Sequence, residues 1–172
     1  MIISQVTLAI FFSYVGSIPM FNNLNRLEVS FSTCFLQMLP DFLGSFPNLK
    51  HLTLCVVYLN NVNVEKSESS IVPRCLLSTL ECVEIRELIT GDETRIKENI
   101  LKRKKETLMN AARYILENSL VLKKLILVLS PVTNQISDTT KELLTFRKGS
   151  HGCNIYMGLL HSDDKPFLQL IG

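Results

Sequence analysis

At 172 residues, 47% of them apolar, the chain is long enough for one domain with a sizeable core. Its 18 basic and 16 acidic residues leave a net charge of +2, too near neutrality to draw it by general attraction to phosphate backbones or anionic lipid, so no nucleic-acid or membrane partner is expected. Five cysteines, at 34, 55, 75, 82 and 153, are odd in number and form no C-x-x-C pair, and no N-x-[ST] acceptor occurs; a reducing setting, cytoplasmic or nuclear, is the simpler reading.

No charged residue precedes Arg26. A targeting segment would need a positive flank, and Ser4, Gln5, Thr7, Ser13, Gly16 and Ser17 interrupt the apolar stretch. The alternation Val6, Leu8, Ile10, Phe12 predicts instead a buried strand whose partner lies upstream. Leu24, Leu27 and Val29 then form the first L-x-x-L-x-L segment. In LPDFLGSF, Leu39, Phe42, Leu43 and Phe46 recur at helical spacing, with Pro40 suited to a first turn and Pro47 ending the element. Leu49, Leu52 and Leu54, then Leu80, Val83 and Ile85, repeat the strand pattern.

Residues 91–107 form a charged insertion containing KRKK at 102–105. Asp92, Glu93, Glu98 and Glu106 surround the basic run, which reads as a solvated helix face rather than an import or nucleic-acid patch. Leu108, Ala112, Ile115 and Leu116 predict a helix stopping near Asn118 and Ser119. The fourth strand follows at Leu122, Leu125 and Leu127. Thr139 and Glu142 fit a capping box for a last helix ended by Gly149, with Arg147 and Lys148 suited to its negative end, before a strand from Cys153 to Met157.

First leucines of the four segments are 25, 31 and 42 residues apart, the first spacing falling in the leucine-rich-repeat window and the others requiring insertions. The Asn or Cys that usually follows each strand is replaced by Ser32, Val57, Leu88 and Ser130, so the backbone groups it would satisfy need another partner. The predicted fold is α/β, a degenerate leucine-rich-repeat solenoid with parallel strands on one face and helices on the other, the strands centred near Leu27, Leu52, Val83, Leu125 and Ile155.

FNNLNRLEVSF, LPDFLGSFPNLKHLTL, VPRCLLSTLECVEI, ARYILENSLVLKKLIL and KELLTFRKGSHGCNIYM, in that order, resemble the end of the leucine-rich region and the FBD domain of plant F-box/FBD/LRR-repeat proteins. The resemblance runs from about residue 19 to 157 and implies terminal repeats over 1–60, a linker over 61–72, an FBD domain over 73–158 and a tail over 159–172. It also implies a substrate-recognition role in an SCF-type ubiquitin ligase. No segment resembles the F-box, so a Skp1-type adaptor is an expected partner only if an F-box is encoded upstream; otherwise the partner is an unnamed protein. A truncated or nonfunctional product is the alternative reading.

Little in the chain suggests chemistry, and neither catalysis nor a cofactor is expected. Cys75 beside Arg74 is a candidate activated thiol, more simply a small core residue. His151, Cys153 and His161 lack the spacing and fourth ligand of a zinc site. Function then falls to surface. In a stack of such strands the intervening positions face away from the core on the concave side: Arg26, Glu28 and Ser30; His51, Thr53 and Cys55; Cys82, Glu84 and Arg86; Lys124, Ile126 and Val128. These twelve form the candidate partner-binding face.

Overall fold

The computed structural model describes residues 1–11, 18–57, 71–88, 98–130, 136–160 and 167–172. A seven-stranded sheet runs in chain order through β1 (Ile2–Ile3), β2 (Arg26–Ser32), β3 (His51–Val57), β4 (Cys82–Leu88), β5 (Lys124–Leu129), β6 (Asn154–Leu159) and β7 (Phe167–Leu170). Every pairing is parallel except the last. Between the strands lie α1 (Gln5–Ile10), a 3₁₀ turn (Thr33–Met38), α2 (Leu39–Gly44), α3 (Arg74–Ser78), α4 (Glu98–Asn118) and α5 (Ile136–Leu144).

The period-2 leucines set the register. Leu27, Leu52, Val83, Leu125 and Ile155 lie opposite one another in one continuous row, as the repeat alignment requires. With Val29, Leu54, Ile85, Leu127 and Met157 in the next inward row, they share one core cluster with the buried faces of α2, α4 and α5. Neither layer can bury its apolar side alone, which is why strands and helices stack.

At the strand starts, main chain joins the units. The Lys50 and His51 N–H groups both donate to the Asn25 carbonyl (2.9 and 3.0 Å). Those of Glu81 and Cys82 both reach Lys50 O (2.9 and 3.1 Å), and those of Lys123 and Lys124 both reach Glu81 O (2.8 and 3.1 Å). At the far strand ends a side chain contributes: buried Glu87 accepts the Ser130 N–H through Oε2 at 2.9 Å.

Leu39, Phe42, Leu43 and Phe46 are all buried, and Pro40 sits in the first turn of α2. Leu108, Ala112, Ile115 and Leu116 form the buried stripe of α4, which ends at Asn118. Residues 98–107 belong to this same helix, so part of the charged insertion is the first half of a regular element.

Four expectations need correction. The N-terminal strand over 6–12 is instead α1, preceded by the two-residue β1; Phe12 lies outside the described residues. Ser4 caps that helix, its Oγ accepting the Thr7 N–H at 3.3 Å, and Leu8 alone is buried while Val6 and Ile10 remain 70% and 49% exposed. A seven-residue alternation does not resist a good N-cap and one docking leucine. Thr139 is no cap either: α5 begins at Ile136, Thr139 is buried within it, and Glu142 pairs with Lys105 at 3.3 Å.

Gly149 does not end α5, which stops at Leu144. It packs instead against the end of α4, donating its N–H to Leu116 O (2.8 Å) so closely that a Cβ would lie 2.7 Å from Ser119 O. Lys148 reaches the Cys153 carbonyl at the entrance to β6 rather than a helix end. Within the tail, Phe167–Leu170 pairs antiparallel with β6.

Candidate functional site

Alternation along β2–β5 places the twelve singled-out side chains on the face of the sheet opposite the core. Parallel register arranges them in rows about 4.8 Å from strand to strand. Arg26, His51, Cys82 and Lys124 form the first row, continued on β6 by Asn154. Glu28, Thr53, Glu84 and Ile126 form the second, continued by Tyr156. Ser30, Cys55, Arg86 and Val128 form the third. Asn154 and Tyr156 escaped the sequence reading, although the inward set Cys153, Ile155 and Met157 already implied their direction.

The rows are not equally open. Arg26 is exposed, while Glu28, Ser30, His51, Thr53, Cys82, Glu84, Arg86 and Lys124 are half-buried. Cys55, Ile126 and Val128 are buried, yet stand apart from the core cluster of the helix side. The accessible part of this face is therefore the first row, the second row without Ile126, and Ser30 and Arg86 of the third.

Charge on this face is ordered. The first row carries Arg26 and Lys124, the second Glu28 and Glu84. Arg86 donates from Nε to Glu84 Oε1 at 2.7 Å, and this bond raises its pKa against the opposing effect of burial. The Lys124 ammonium lies 4.6 Å from the Tyr156 ring centre, a cation–π contact that ties the first row to the second. Burial, followed by the charge of Glu28, pushes the Cys55 thiol from 9.0 up to about 11.

The other candidates point away from chemistry. Cys75 is fully buried in α3 with its Sγ 3.7 Å from Leu43 O, and burial pushes its thiol up to about 11. Burial likewise raises Cys82 and Cys153. His151 is exposed beside buried Cys153, and His161 lies outside the described residues. Among the described residues no group of three or more His, Cys, Asp or Glu is placed to hold a metal ion, and no helix is long and apolar enough to cross a membrane. Of the basic run, Lys105 pairs with Glu142; the side chains of 102–104 lie outside the described set.

A thiol two units above its ordinary pKa holds roughly 100-fold less thiolate at neutral pH. Among Cys55, Cys75, Cys82 and Cys153, native-state alkylation followed by mass spectrometry is therefore expected to modify Cys82 first and to leave Cys75 protected until the chain unfolds. Rapid modification of Cys75 in the folded protein would contradict this picture.

Residues 67–127 match the FBD family profile. Two F-box/FBD/LRR-repeat proteins of Arabidopsis thaliana are each 46% identical to the chain, over 159 and 149 residues, covering 90% and 84% of it and 33% and 29% of themselves. An FBD-associated F-box protein of the same plant is 42% identical over 159 residues, 90% of this chain and 32% of its own length. The chain thus spans about a third of the length of these curated relatives. No solved structure matches it.

Proposed function

This chain belongs to the F-box/FBD/LRR-repeat family, and from that premise we propose that it is a protein-interaction module, without catalysis of its own, whose open sheet face holds a protein partner. One observation carries the reading. β2–β6 keep a single register, so residues distant in sequence form a continuous surface of a basic row beside an acidic row. Such a rigid, patterned face suits recognition of a complementary surface, in which charge selects the partner and sets its orientation.

In the longer proteins of the family the partner is, by this proposal, a substrate presented for ubiquitylation, and a Skp1-type adaptor is the business of the F-box rather than of this face. A cytoplasmic or nuclear setting belongs to the same proposal.

The test is a double charge reversal on β2, Arg26→Glu with Glu28→Lys, which conserves net charge and touches no core side chain. Compared by proximity labelling in plant cells with a helix-side control, Glu106→Lys, the double variant is expected to lose at least fivefold of its specific neighbours while its melting temperature stays within a few degrees. An unchanged neighbour set would remove the face from consideration.

A further inference from the structure

The geometry points to a second binding site, on the helix side: a pocket of about 330 Å³ between the 3₁₀ turn, the start of α2 and the middle of α4, which takes a small neutral molecule with an apolar body and one amide or hydroxyl group. The pocket is independent of the sheet face. α3 is a single short turn lying between α2 and the 21-residue α4, and α4 extends past it to meet the 3₁₀ turn; the space opens where these elements meet.

Its size is at the lower end of the range for small-molecule sites, where an apolar lining supplies affinity and a few polar groups fix orientation. Leu36, Leu39 and Ala111 provide the apolar part, while Gln37, Asn110 and Tyr114 provide amides and a phenol. None of the described residues lining it is charged, so among them a charged ligand would give up its hydration without an ion pair in return. Tyr114 is half-buried, and no hydrogen bond engages its hydroxyl among the described residues. Burial, then the negative influence of Cys75 and Asp41, pushes the phenol up to about 12, so it remains a neutral donor. The Asp41 carboxylate that contributes to this also disfavours an anion.

The experiment titrates the isotope-labelled full chain, followed by NMR, with naphthalene-2-carboxamide and separately with naphthalene-2-carboxylate, which share an apolar body and differ in charge. The carboxamide is expected to give saturable shifts centred on 107–114 and the 3₁₀ turn, with the carboxylate at least tenfold weaker. Tyr114→Phe, or Asn110→Ala at the exposed rim, should weaken the amide about three- to tenfold, the value of one hydrogen bond. Shifts scattered or centred on the sheet face, equal affinity for both probes, or unchanged binding in both variants would each overturn the assignment.

Discussion

Phe42→Ala is expected to remove about 3–5 kcal/mol of unfolding free energy, a large part of the stability of an ordinary domain. The ring is fully buried at the centre of a chain of aromatics. It meets Phe31 of β2 edge-on, with centroids 5.0 Å apart at 82°, and Phe46 at 4.9 Å; Phe46 in turn stacks on Phe21 at 5.2 Å. Truncation loses transfer free energy, two ring contacts and a volume that a sheet on one side and α2 on the other cannot readily close. Urea denaturation should show the loss, with Phe42→Leu near half of it and Leu144→Ala, at an exposed position, within about 0.5 kcal/mol of the parent. A deficit below 1 kcal/mol for Phe42→Ala would mean that the aromatic chain is not the pillar between β2 and α2.

Glu87→Leu is the second large effect. Glu87 is a buried polar residue on the core face of β4, and its carboxyl holds the Ser130 N–H at the end of β5. A cavity of about 10 Å³, lined by Glu87, Lys105, Leu108, Met109, Leu129 and Thr139, lies beside it. Leucine has nearly the right bulk but offers no acceptor, so a buried N–H loses this partner at a cost of about 1–3 kcal/mol. Glutamine keeps a carbonyl oxygen in reach and should recover most of that. Equal stability of the leucine and glutamine variants would show that the bond to Ser130 carries no weight.

The contrast between Glu87 and the leucines shows where sequence reasoning reached and where it stopped. Leu27, Leu52, Val83 and Leu125 were legible because period 2 and one-sided burial are the same fact, and because a one-residue slip would turn every side chain to the wrong face. Phe42 and Ile115 were legible through helical spacing. The joints between units were not: carbonyls of Asn25, Lys50 and Glu81 make them, and a main-chain acceptor is common to every residue type. Thr139 misled because a capping box is a local motif, whereas its burial is decided by β4 and α4.

For the candidate face, alternation supplied all twelve directions but not their depth. Whether Cys55, Ile126 and Val128 are open depends on neighbours in space, which no local pattern encodes. The pocket beside Tyr114 was invisible for a similar reason, since it arises from the unequal lengths of α3 and α4 rather than from any motif.

The central row advances by 25, 31, 42 and 30 residues from strand to strand without losing register. In polymer terms the length of the connecting chain matters little by itself: closing a loop of 42 rather than 25 residues costs only about 0.5 kcal/mol of additional entropy. Length change in the links is therefore almost invisible to selection on stability, whereas one residue added within a strand inverts its faces. Coding sequence can therefore be gained between strands, outside the helical stretches that fill the core, and still encode the same sheet.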